Sequence, residues 1–180
     1  MKTVVLIPTE DEAAPIRAAR PFADVRVCGV GMAAAGAFTA SLLVGERPDR
    51  ILLCGIAGAY DPALRPGQVV VVGVERVAGL PGKYADRYEG TPLPAWLPAV
   101  VSNTVSRSGA EADGAAVENM EGAAVMAVCH ALGVACSEIR AVSNRVGDPF
   151  DRWQIPEALD SLVAALVRLA VESAPAGTVL

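Results

Sequence analysis

Three acids in a row, Glu10-Asp11-Glu12, follow directly on an apolar run, and a fourth carboxylate, Glu121, opens a stretch of helical periodicity. Acids at the start of a helix are favoured by its dipole, and that accounts for one or two of the three. The third, aimed into a cleft, is available as a general base that takes a proton from water. Glu121 has Ala124, Val125, Val128 and Leu132 at i+3, i+4, i+7 and i+11, so it shares the apolar face of the same helix. A carboxylate there must be paired or hydrogen-bonded. It either caps the helix or accepts two hydroxyl hydrogen bonds from a sugar diol.

Two glycine corners flank these acids. Gly29-Val30-Gly31-Met32-Ala33-Ala34 has the G-x-G-x-x-A pattern between a strand-like and a helix-like segment, which alone points to a dinucleotide. The acid that should hold the ribose is missing, because Asp49 precedes its strand. The corner then reads as a place where backbone amides approach a small ligand. Cys54-Gly55-Ile56-Ala57-Gly58-Ala59 ends a second strand, and Ser143-Asn144 follows another. Ligands of open α/β sheets gather beyond the carboxyl ends of strands, where all these features fall.

Strand-like runs at Thr3–Pro8, Val25–Val30, Arg50–Ile56, Gln68–Val74 and Glu138–Ser143 must carry them. Helical patterns at Glu10–Arg20, Met32–Gly45, Glu118–Leu132 and Pro156–Glu172 lie between and after. In the last, Leu159, Leu162, Val163, Leu166, Val167 and Ala170 share a face. The alternation predicts an α/β fold, a single domain over 1–180 with a mixed, mostly parallel central sheet flanked by helices. The 180 residues are 53% hydrophobic and 19% charged, which excludes disorder as the main state. A net charge of −5 supplies no basic face for a nucleic-acid backbone.

No stretch has the length of a membrane span or the pattern of a signal peptide, and a cytoplasmic protein is expected. Cys28, Cys54, Cys129 and Cys136 show no CxxC spacing, and His130 is the sole histidine, so reduced core cysteines and no metal are expected. Residues 75–98, with four prolines and Tyr84, Tyr88 and Trp96, read as a long irregular loop, either functional or a surface excursion. Residues 174–180 read as a tail.

The stretch VENMEGAAVMAVCHALGVACSEIRAVSNRVGD, with DRWQIPEAL after it, resembles the nucleoside phosphorylase superfamily. Within that superfamily it is most similar to the futalosine hydrolase family, relatives of methylthioadenosine/S-adenosylhomocysteine nucleosidase. PTEDEAAPIRA, GVGMAAAGAFTASLL and DRILLCGIAGAYDPALRPGQVVV follow the same pattern in order, although residues 75–98 are shorter than usual. The resemblance implies that Glu12 activates the attacking water and that Glu121, after Met120, grips the ribose. It implies that Arg140 helps to hold that water. Asn144 stands where adenine-specific nucleosidases carry an aspartate, and Ile56 where they carry a serine near the water. Ile56, Ala57, Gly58, Thr104 and Val105 are implied around the substrate.

The implied reaction is hydrolysis of futalosine to hypoxanthine and dehypoxanthine futalosine, in menaquinone biosynthesis, with no metal or organic cofactor. A nucleosidase for a 6-amino purine is the alternative, and a non-catalytic nucleoside-binding protein a further one. A phosphorylase fits less well, because Glu10, Asp11 and Glu12 would repel phosphate. A homodimer whose partner closes the pocket is also implied. For the substrate's aryl carboxylate the chain offers Lys83, Arg87, Arg145 and Arg152, with Tyr84, Tyr88 and Trp96 for stacking.

Overall fold

The computed structural model describes residues 2–173, so the tail at 174–180 lies outside the described residues. In chain order the elements are β1 (Thr3–Ile7), α1 (Glu10–Ala19), β2 (Val25–Val27), α2 (Met32–Glu46), β3 (Arg50–Ala59) and β4 (Val69–Val77). They continue with β5 (Arg87–Glu89), β6 (Ala99–Thr104), β7 (Val117–Asn119), α3 (Gly122–Leu132), β8 (Ala135–Arg145) and α4 (Ile155–Ser173). Strands β2, β1, β3 and β8 pair in parallel, and β8 then meets β4 antiparallel. Strand β4 pairs with β6 and β6 with β7, both parallel, and β7 returns antiparallel to the end of β3 at Gly58–Ala59. The pairing therefore closes a ring through β3, β8, β4, β6 and β7, and the sheet is mixed and mostly parallel as the sequence predicts.

Alternation along the strands builds the two faces. Val5, Ile7, Leu52 and Cys54 point to the side covered by α1 and α4, and Val4, Leu6, Ile51 and Leu53 to the side of α2 and α3. The buried stripe of α4 is Ala158, Leu159, Leu162, Ala165, Leu166 and Leu169, whereas Val167 faces outward. Leu166 is fully buried, and truncation to alanine there costs about 2–5 kcal/mol. All four cysteines are buried thiols, and burial pushes the Cys28 thiol up to about 12.

Several boundaries differ from the sequence pattern. Strand β2 stops at Val27 because Gly29 and Gly31, at φ 87° and 86°, turn the chain into α2. Strands β3 and β8 run on through their glycine and Ser-Asn corners, so Asn144 lies inside β8 instead of after it. The helix expected from Glu118 begins only at Gly122, because residues 117–119 pair with both β3 and β6. Strands β5, β6 and β7 were hidden from the pattern: β5 and β7 are three residues each, and β6 starts just after Pro98. The segment 75–98 is partly regular, holding the end of β4, a 3-10 turn at Gly82–Tyr84, and β5.

Candidate active site

Glu12 reaches its place from the first turn of α1. The hydroxyl of Thr9, the N-cap, accepts the Glu12 N–H at 3.2 Å and donates to Glu12 Oε2 at 2.7 Å. Glu12 Oε1 accepts the Ile56 N–H at 3.1 Å. The acids divide as the sequence suggests, since Glu10 pairs with Arg17 outside while Glu12 is buried. The Ile56 side chain is apolar, but its peptide is not idle: the carbonyl accepts from Arg140 Nη1 at 3.3 Å. Gly55 makes room for both groups, for a Cβ there would lie 2.6 Å from Arg140 Nη1 and 3.2 Å from Glu12 Oε1.

Glu121 occupies the N-cap position of α3 without capping it. That work falls to Asn119, whose Oδ1 accepts the N–H groups of Glu121 and Gly122 at 2.8 and 2.7 Å. The Glu121 carboxylate is 3% exposed and is held instead by the Gly31 N–H at 3.0 Å and Arg140 Nη2 at 3.3 Å. The glycine corner thus delivers its amide to a carboxylate of the protein. Arg140 also donates from Nε to Glu138 at 2.7 Å and from Nη2 to Asn119 at 3.0 Å. Burial opposes its charge, but Glu138 and Glu121 more than offset this and raise its pKa.

These groups border one cleft of about 400 Å³, a size suited to a small-molecule ligand. Glu12, Glu121, Arg140 and Asn144 all line it. So do Met120, Ile56, Ala57, Gly58 and Val105. Thr104 does not: its hydroxyl accepts the Ala123 N–H at 2.7 Å and so fixes the start of α3. Asn144 Oδ1 accepts from the Ser143 hydroxyl at 2.7 Å, and its amide donates to the Arg145 carbonyl at 2.8 Å, which sets the orientation of the group.

The cleft also has apolar lining. Phe150 and Trp153, rings 5.1 Å apart, line it, and among its described lining residues the only cation is Arg140. None of Lys83, Arg87, Arg145 or Arg152 borders it. Arg145 is spent on the carbonyls of Asp61, Pro62 and Leu64. Trp96 donates to Glu172 and lies under Arg168, and Tyr88 packs against His130, so these two brace the fold away from the cleft, while Tyr84 is exposed under Lys83 and does not border it either.

Glu118, Asn119, Glu138 and Trp153 had no role from the sequence. Glu118 accepts from the Ser108 hydroxyl at 2.6 Å and the Gly109 N–H at 3.1 Å, and so ties down the loop at the cleft's edge. Alternation could have flagged Glu118 and Asn119 only once β7 was placed, and Trp153 follows a 3-10 turn that carries no alternation. As chemistry, the cleft brings two fixed carboxylates and an amide to one space. Such a site can activate water and stabilise positive charge developing on a sugar.

Residues 95–174 match the Phosphorylase superfamily. Futalosine hydrolase of Streptomyces coelicolor is 34% identical over 184 aligned residues, spanning 82% of this chain and 78% of that relative. Futalosine hydrolase of Thermus thermophilus is 30% identical over 179, spanning 80% and 79%. The chain belongs to the futalosine hydrolase family. That family is one of nucleoside N-glycosyl hydrolases within the phosphorylase superfamily. The fold agrees: Helicobacter pylori 5'-methylthioadenosine/S-adenosyl homocysteine nucleosidase superposes with a TM-score of 0.80 at 17% identity, covering 97% of this chain and 99% of that one. Helicobacter pylori futalosine hydrolase gives 0.74 at 16% identity over 97% and 98%. Among the described residues no helix is long and apolar enough to cross a membrane.

Proposed function

We propose that this futalosine hydrolase family member cleaves futalosine itself, releasing hypoxanthine and dehypoxanthine futalosine as a step of menaquinone biosynthesis. The observation that carries the reading is that Glu12 and Glu121 line one cleft, each buried and each bound through both oxygens. Water attacks the anomeric carbon as the bond to the purine nitrogen breaks. Glu12 takes the water's proton, and the departing purine nitrogen takes up a proton in its turn. Glu121 accepts the two ribose hydroxyls and faces the positive charge that builds on the ring. Asn144 meets the purine.

Arg140 acts chiefly through others. Four of its five N–H groups already hold Glu138, Asn119, Glu121 and the Ile56 carbonyl, so one on Nη1 is left for the water. The acid-lined corner at Asp11 and Glu12 disfavours phosphate as the nucleophile. A homodimer and a cytoplasmic location belong to the same proposal.

Purified protein incubated with futalosine in phosphate-free buffer tests it. Free hypoxanthine should appear, and added phosphate should leave the rate unchanged. Phosphate-dependent turnover, or no release at all, overturns the reading.

A further inference from the structure

Behind the cleft lies a second pair of acids that the reaction does not touch. Glu75 in β4 and Glu138 in β8 are both fully buried, and their carboxyl groups converge on one point. Both crowd the first residue of α3: a Cβ on Gly122 would stand 2.4 Å from Glu75 Oε2 and 2.6 Å from Glu138 Oε2. Glycine is therefore the residue that lets the pair form.

Hydrogen-bond accounting leaves one oxygen of the pair without a donor. Glu138 Oε1 takes Arg140 Nε, while no N–H or alcohol hydroxyl of the described residues reaches Glu138 Oε2. Glu75 Oε1 accepts the Arg76 N–H at 3.1 Å, and Oε2 accepts Asn119 Nδ2 at 2.7 Å. The missing donor is a proton between the two carboxyls, since like charges that close cannot both persist in the interior. Glu138 has the Arg140 cation as its direct partner. Glu75 meets only neutral donors, so it is the half that stays protonated. Burial, then the Glu138 charge, pushes the Glu75 carboxyl up to about 8.

We propose that Glu75 is a positioning residue of the active site: as the protonated half of the Glu75–Glu138 pair it holds Asn119 and Arg140, and through them Glu121, in the geometry that hydrolysis needs. The route is short. Asn119 Nδ2 is anchored by Glu75 and by the Ser102 hydroxyl at 2.9 Å, which turns Oδ1 onto Arg140 and the peptide of Glu121. The groups facing the pair are Arg140 from β8, Glu121 at the start of α3, and neutral Asn119 and Ser102 from β7 and β6. Glu12 faces Arg140 from α1, and the Cys54 and Cys136 thiols near Glu138 are raised, hence neutral. Loss of the shared proton sets two buried charges against each other beside the group that grips the ribose.

The proposal rests on the nucleosidase reading of the cleft, and its test has one arm with substrate and one without. With futalosine, wild-type kcat should fall as pH rises through about 8, with much less change in KM. Glu75→Gln cannot ionise, so that alkaline fall should vanish, and its amide still offers a donor to Glu138 while giving up the acceptor for Asn119 Nδ2, which lowers kcat evenly across pH. Glu75→Leu removes the donor too, and at pH 6.5 its kcat should drop a further tenfold to hundredfold or so below that of the Gln variant. An unchanged alkaline limb in Glu75→Gln, or equal kcat for Gln and Leu, overturns the proposal. Should the Leu variant fail to fold, the Gln comparison decides.

Thermal denaturation needs no substrate. The folded Glu75 pKa is raised, so from the ordinary Glu value up to about 8 the unfolded chain has released a proton that the native state keeps. Wild type must lose stability relative to Glu75→Gln across that window. Parallel Tm curves from pH 5 to 9 show that no proton is retained and overturn the proposal. Wild type that shows this linkage yet releases no hypoxanthine refutes the proposed substrate instead, leaving the proton of the pair established.

Discussion

Glu121 Oε2 stands 3.3 Å from Arg140 Nη2, while its other oxygen takes the Gly31 N–H at 3.0 Å. The carboxylate is thus fixed between a cation from β8 and a peptide at the start of α2, and it leaves the capping of its own helix to Asn119. Each oxygen keeps a lone pair for a hydroxyl. Glu121→Gln retains the shape and removes the charge that faces the developing sugar cation. We predict that kcat/KM on futalosine falls about a hundredfold to a thousandfold, the loss typical of one preorganised electrostatic group. Steady-state kinetics check this, and activity within fivefold of wild type would take Glu121 out of the reaction.

Glu12 is oriented by the Thr9 hydroxyl and the Ile56 amide, both on fixed backbone. Glu12→Gln cannot accept the proton of water, and loss of a general base costs about a hundredfold to ten-thousandfold in rate. Binding of the unreacted nucleoside, followed by calorimetry, should survive. Retained turnover would move the base elsewhere in the cleft.

Arg140 is 1% exposed and touches Glu138, Glu121 and Asn119. Arg140→Leu leaves two buried carboxylates without their cation, and breaking such a pair costs about 3–5 kcal/mol. Urea unfolding at pH 7.5 should show that loss. Stranded carboxylates bind protons more tightly in the folded state than in the unfolded one, so the deficit should shrink as pH falls toward 5. A deficit below about 1 kcal/mol, or one independent of pH, would show that the guanidinium is not what holds these charges.

How much of this was legible in the sequence follows from the range of each signal. Periodicity and strand–helix alternation found the layers, and the convergence of strand ends located the cleft. Glu121 stood out because an acid on an apolar face needs a reason, whereas Glu12 was told apart from its two acidic neighbours only by the family resemblance. Asn119, Glu75 and Glu138 did not, since their meaning depends on β4, β7 and β8 coming together, and the three residues of β7 carry no readable period. The aromatics of 75–98 looked available for a ligand, yet Trp96 is committed to α4 through Glu172 and Arg168. Thr104 shows the same limit at short range: lying one residue from the cleft-lining Val105, it caps α3 because its hydroxyl faces the other way.

In the proposed reaction, Asn144 is the residue we assign to the choice of purine. Its orientation is set by two neighbours: the Ser143 hydroxyl must donate to the amide oxygen, and the Arg145 carbonyl must receive the amide nitrogen. One N–H and one lone pair therefore remain for a ligand. A 6-oxopurine presents an acceptor beside its ring nitrogen, and the free N–H can donate to it while the carbonyl accepts from the protonated nitrogen. An ionised aspartate at this position would face the oxo group without a donor, and a buried unpaired acceptor costs about 1–3 kcal/mol. We predict that the wild type releases hypoxanthine from futalosine at least tenfold faster, in kcat/KM, than it releases adenine from the matched 6-amino compound, since about 1.4 kcal/mol is a factor of ten. Asn144→Asp should lose most of that preference, because a protonated aspartate can serve a 6-amino purine and an ionised one repels the oxo group. Paired assays of both substrates on both proteins give the answer. Equal cleavage of the two by the wild type would refute the assignment and point to a 6-aminopurine nucleosidase.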